Sequence, residues 1–158
     1  MPNFKFSSVN VFKLDVNFSV FFGGKIKDEV STTELLKDRE YVSLEDGGQF
    51  PILSPESEII QYCYSFYKDT IYTFKKESLA YVLSNLRDIY YILEQRNLNC
   101  EKLYDMLKDT SVKTNIYNVI SYVAFCYGGT VANQILRDQN IEITQEKKQE
   151  IMRCVLKL

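Results

Sequence analysis

The sequence predicts a mainly α-helical bundle closed around one central apolar helix, with a β-hairpin extension toward its N-terminus; an α+β arrangement is the alternative. Three observations carry this. Ten of the twelve residues 116–127 are apolar or aromatic, with no charge and no proline. A segment apolar on every side is covered by other helices or lies in lipid, and this run is short of the ~20 residues that span a bilayer. Leu79, Val82, Leu83, Leu86, Ile89, Tyr90 and Leu93 recur at three- and four-residue steps, the stripe of an amphipathic helix. Finally, FKLDVNFSV (residues 12–20) alternates strictly, so that Phe12, Leu14, Val16, Phe18 and Val20 share one face, as in a half-buried strand.

The totals narrow the function more than they name it. A chain of 158 residues is long enough for one domain with its own core. The expected division is a strand-rich extension, residues 1–53, packed on a helical bundle, residues 54–158. A net charge of −2 gives no basic field for nucleic acid. No stretch reaches transmembrane length and none has the apolar core of a signal peptide, so no membrane anchor is expected. There is no histidine, which removes the commonest general base and transition-metal ligand. Neither GxGxxG nor GxxxxGK[ST] occurs, and the carboxylates are scattered among lysines as on solvated faces. No catalytic activity, cofactor or metal is therefore expected. Cys63, Cys100, Cys126 and Cys154 lie tens of residues apart without CxxC spacing, and read as reduced core thiols.

The elements follow in order. Val9 and Val11 are out of phase with the first strand, which places a bulge near Val11, and Gly23-Gly24 offers a turn after it. A short helix is expected over residues 32–37. YVSL and FPIL then form a strand pair joined by a turn at Asp46-Gly47-Gly48, with Pro51 keeping its strand at an edge. Ser54 caps a helix that has Pro55 at its first position and Glu56 and Glu58 at its positive end. Ile59, Ile60, Cys63, Phe66, Tyr67 and Ile71 form its inward stripe. A long helix spans residues 76–96. Asn99 caps a short one carrying Leu103, Met106 and Leu107. The apolar helix is expected to be the most buried, over residues 116–134, with Val123 and Phe125 inside. Its Gly128-Gly129 pair admits two readings: a close approach by a neighbouring backbone, or a helix stop. After the connector RDQNIEI, Thr144 caps a last helix that turns Ile151, Val155 and Leu158 inward. Helices wrapped on an apolar helix make a bundle.

Three segments, in order, resemble the Bcl-2 family of apoptosis regulators. SEIIQYCYSFYKD (residues 57–69) resembles its first helix. LSNLRD (residues 83–88) resembles the third homology region, a leucine followed four and five residues later by Gly-Asp. YNVISYVAFCYGG (residues 117–129) resembles the first homology region, which reads NWGR, an apolar run and FGG; LYDMLKD before it also fits. The departures are specific. Arg87 replaces the glycine, and Tyr117-Asn118-Val119-Ile120 stands where NWGR would, so the arginine that pairs with a ligand aspartate is missing. No second homology region with its tryptophan follows. Such erosion with the order kept resembles viral members, as in large DNA viruses including iridoviruses.

The resemblance implies a Bcl-2-like bundle whose central helix runs through its glycines. It implies an inhibitor of apoptosis that sequesters the amphipathic homology helix of host pro-apoptotic proteins such as Bim, Bak or Bax, in the host cytoplasm or at mitochondria through a partner. Helix-in-groove recognition would use Leu86, Tyr90, Leu93, Leu103, Met106 and Leu107 as groove walls, with Asn118 at the polar end. Leu83 and Ile89 are assigned to the core, and Asp88 to the surface. The alternative is a viral Bcl-2-like or structural protein that acts as a homodimer or through another protein-binding face, using its strand edge and twelve tyrosines.

Overall fold

The computed structural model describes residues 30–72 and 79–156. Its elements are α1 (Thr32–Lys37), β1 (Glu40–Ser43), β2 (Gln49–Ile52), α2 (Pro55–Phe66), which continues as a π-helical stretch (Tyr67–Tyr72), α3 (Leu79–Gln95), α4 (Cys100–Leu107), α5 (Lys113–Tyr127), α6 (Thr130–Asp138) and α7 (Gln145–Leu156). The expected strand at residues 12–20, its bulge, the Gly23-Gly24 turn, residues 76–78 of the long helix and Leu158 lie outside the described residues. Among the described residues the protein is mainly helical, with one small antiparallel hairpin.

Helix starts follow their capping residues. Ser54 Oγ accepts the Ser57 N–H at 3.4 Å, Asn99 Oδ1 the Lys102 N–H at 3.1 Å, and Thr144 Oγ1 the Lys147 N–H at 3.2 Å. Ser31 does the same for α1 through the Glu34 N–H at 3.1 Å. Each bond satisfies an amide that the first helical turn leaves without a partner. In the hairpin Glu40 pairs with Ile52, Tyr41 with Pro51, Val42 with Phe50 and Ser43 with Gln49. Asp46 Oδ1 accepts the Gly48 N–H at 2.9 Å, and Gly47 takes φ 82°, so the Asp-Gly-Gly sequence makes the turn as its chemistry suggests.

The core lies around α5, which packs against α2, α3 and α6. Ile116, Val119, Ile120, Tyr122 and Val123 are fully buried. They meet Ile59, Ile60 and Cys63 of α2, Val82, Leu86, Ile89 and Leu93 of α3, and Ala132 and Ile135 of α6 in one cluster. Leu103 and Leu107 of α4 and Ile151 and Val155 of α7 complete it, and Val30 and Leu35 join from the N-terminal side. No helix among the described residues is long and apolar enough to cross a membrane.

Two expectations about α5 are corrected. It does not run through its glycines to residue 134; it stops at Tyr127, with the Gly128 N–H closing the last turn on the Ala124 carbonyl at 3.0 Å. Gly128 at φ 75° and Gly129 at φ 103° are in backbone conformations that no right-handed helix contains. Phe125 is not inside either: it is 37% exposed.

Candidate functional site

The residues nominated for a groove do not line an open one. Leu86, Leu93, Leu103 and Leu107 are each 0% exposed and belong to the core. Tyr90 and Met106 are half-buried. Tyr90 packs on the Tyr127 ring with centroids 5.7 Å apart, beside the α5–α6 turn. Met106 lines a depression shared with Glu34 and Asp38 on the α1 side, one that does not include Tyr90. Asn118 is half-buried, and its carbonyl accepts the Ser121 hydroxyl at 2.6 Å. Val119 and Ile120, where the family arginine would stand, are fully buried. Asp88 is on the surface and meets Arg87 at 3.6 Å.

Polar side chains tie the elements together in a way the sequence did not reveal. Arg96 at the end of α3 reaches Glu40 of β1 at 2.8 Å, Glu58 of α2 at 3.2 Å and the Leu53 carbonyl at 3.4 Å. Lys102 of α4 bridges Asp38 at 3.0 Å and Glu56 at 3.2 Å. Glu56 is 3% exposed and also accepts the Asn99 N–H at 2.9 Å. Burial works against its charge, but the Asn99 amide and the Lys102 ammonium outweigh that and hold it below the usual carboxylate range. Burial likewise works against the Lys102 ammonium, yet Asp38 and Glu56 raise it overall. Sequence spacing marks Glu56 only as a helix-start residue; its partners come from elements over forty positions away.

A third tie explains Gly129. The Glu94 carboxylate of α3 accepts the Thr130, Val131 and Ala132 N–H groups at 3.0, 2.9 and 3.3 Å. It caps α6 from another helix, where Gly129 offers no side-chain oxygen. A Cβ at Gly129 would stand 2.6 Å from Glu94 Oε1 and 3.3 Å from the Tyr90 ring. The close approach is therefore real, but it is made by a carboxylate at a helix start and not by a neighbouring backbone.

The Cys63 thiol is buried, and burial pushes it well above its ordinary value; burial raises Cys100 and Cys126 too. Thiols held protonated are poor nucleophiles. Cys63 alone of the four is fully buried; the other three are half-buried at the core's margin. No group of three or more Cys, Asp or Glu among the described residues could hold a metal ion. Tyr122 donates to Glu150 at 2.9 Å, and Lys147 holds the same carboxylate at 3.0 Å while lying 5.4 Å above the Tyr122 ring. These contacts fasten α7 to α5.

Among the described residues, apolar side chains stand exposed on two sets of neighbouring elements in particular. On the hairpin, Tyr41, Val42, Leu44 and Phe50 are 45–59% exposed. Beside it a shallow concavity of about 360 Å³ is lined by Leu36, Arg39, Pro51, Ile52 and Leu53. The second surface is aromatic: Tyr90 sits between Tyr91 and Tyr127, its ring centroid 5.7 Å from each. Compared with family models, with curated proteins and with solved structures, the chain finds no match.

Proposed function

We propose that this chain is a protein-binding module that takes up an amphipathic helix, and that it inhibits apoptosis by sequestering the homology helix of a pro-apoptotic partner. The observation that supports this reading is the enclosure of apolar α5 by α2, α3 and α6, in the chain order that the resemblance to apoptosis regulators implies. The leucines that would form the groove are sealed in this state, so uptake requires α4 to part from the core. At eight residues α4 is about 12 Å long, and it is the lesser obstacle beside seventeen-residue α3. Opening lowers the apparent affinity by the fraction of molecules that are open. Apolar anchors supply the binding energy, at roughly 1.5–3 kcal/mol for each Leu-sized side chain buried, because Val119 and Ile120 offer no cation.

The test is a fluorescence anisotropy titration with labelled pro-apoptotic helical peptides. Saturable binding at micromolar concentration or tighter is expected. Tyr90→Glu, at a half-buried site, should weaken it more than about tenfold, or ~1.4 kcal/mol, while a cooperative unfolding transition is retained. Replacing the ligand's aspartate with alanine should cost less than about 1.5 kcal/mol, below the cost of breaking a buried charge pair. If none of the peptides binds, the reading falls. A second reading, a homodimer, is favoured by the Tyr90–Tyr91–Tyr127 surface, since aromatic patches are common in interfaces. Sedimentation at dimer mass, reduced to monomer mass by Tyr91→Glu, would establish it instead.

A further inference from the structure

The hairpin is an unfinished sheet. Its two strands have four residues each, and every residue of β1 is exposed. Val42 and Phe50 stand directly opposite one another, and they are 45% and 59% exposed. A two-stranded hairpin on its own is marginal in water, and three strands with an apolar face are the usual minimum. Arg96 anchors one end through Glu40 and the Leu53 carbonyl, which leaves the apolar pair and Leu44 uncovered.

Pro51 shows which edge is open to pairing. It has no N–H, so its pair with Tyr41 is one that exchanges no backbone bonds, and its nitrogen faces away from β1. The outer edge of β2 is thereby short of a donor. Across the ladder, the Tyr41 amide and, two residues on, the Ser43 amide point away from β2. The outer edge of β1 keeps its full set of donors and acceptors, which is a template for another strand.

We propose that this edge and the apolar Val42–Phe50 face are the docking surface of the chain's own residues 12–20. That segment, FKLDVNFSV, carries five apolar side chains in strict alternation and puts Lys13, Asp15, Asn17 and Ser19 on the opposite side. One face suits the exposed apolar pair and the other suits water, so strand addition buries what both partners leave bare. The reach is sufficient. The described chain begins at Val30, which is 4% exposed in the core. From there six-residue α1, about 9 Å long, leads toward the hairpin. Residues 21–29 span up to ~30 Å when extended. A second copy of the chain would have to displace this tethered segment, whose effective concentration is millimolar in order.

The experiment is residue-resolved amide hydrogen exchange on the full chain. The Tyr41 and Ser43 amides should exchange at least about 100-fold slower than in an unfolded chain, although β2 cannot bond them. Phe18→Asp should return both to within about tenfold of the unfolded rate while α5 amides stay protected. Phe50→Asp should in turn accelerate exchange across residues 14–18. Should Phe18→Asp fail to fold, nuclear Overhauser contacts in the parent between residues 12–20 and the Val42 or Phe50 side chains decide the question, and their absence overturns the proposal. Free exchange at Tyr41 and Ser43 in the parent overturns it. So does protection that survives Phe18→Asp, or protection that appears only as the protein dimerises, which would give the edge to a second copy. None of these outcomes depends on whether a pro-apoptotic helix binds elsewhere.

Discussion

At the residue scale, Gly128 and Gly129 differ in what a side chain would meet. Nothing lies within 4 Å of a Cβ at Gly128, whereas at Gly129 the Glu94 carboxylate stands in the way. Both have positive φ, so Gly128→Ala should lose about 1–2 kcal/mol to backbone strain. Gly129→Ala should lose more, because it must also push the α6 cap aside. Glu94→Ala should cost about 0.5–2 kcal/mol, the range for a lost helix cap. Urea unfolding midpoints test the order; equal losses for the two glycines would show that Glu94 is not the obstacle. Glu56 supplies a pH dependence. The Asn99 amide and the Lys102 ammonium hold its folded pKa below the ordinary glutamate value. Its contribution is therefore present above about that value and disappears as pH falls through the folded value. Glu56→Gln should be less stable than the parent at neutral pH, with the gap closing below pH 4.5. A gap independent of pH would mean that shape, not charge, holds Asn99 and Lys102.

At the scale of the element, α5 shows how a helix apolar all round still has a dry and a wet side. Val123 is 0% exposed and Phe125 is 37% exposed, two residues and roughly 200° apart around the helix. Val123→Asp places an unpaired carboxylate in the core and should abolish cooperative unfolding. Phe125→Asp should shift stability by no more than about 1 kcal/mol. Thermal melts followed by circular dichroism separate the two, and equal damage from both would reverse the assigned face. The cap residues and the turn at Asp46-Gly47-Gly48 were legible in the sequence because each depends on atoms within three or four positions. The faces of α5 were not, since nothing in an uninterrupted apolar run marks the side that a neighbour leaves open.

For the whole molecule, the sealed leucines make the proposed binding a competition between the core and a ligand helix. Leu107→Ala should lower stability by about 2–5 kcal/mol, as core truncations do. It should also weaken peptide binding, because the truncated side chain is part of the groove wall that the ligand meets once α4 has parted. Parallel urea and anisotropy titrations would show this. Unchanged affinity would instead mean that Leu107 stays with the core and does not touch the ligand. In either case Arg96 and Lys102 hold α1, the hairpin, α2, α3 and α4 in register.

The sequence by itself determined the helices other than α6, the hairpin, three of the helix caps and the choice of α5 as the centre, because periodicity, capping and turn chemistry act over a few residues. It ran α5 on to residue 134 and read Arg137 and Asp138 as connector, where the structure has the separate helix α6. The resemblance to apoptosis regulators nominated Leu86, Leu93, Leu103 and Leu107 as groove walls, but spacing cannot tell a groove wall from a core contact: both need the same side chains on the same helix face. Tertiary structure alone decided that these four are sealed, that Phe125 faces outward and that α5 ends at Gly128. It also brought Glu94 to the start of α6, and Arg96 and Lys102 to carboxylates on distant elements. Burial and long-range ion pairs depend on which surfaces the packed helices leave to water, and that is a property of the assembled molecule, not of any segment in it.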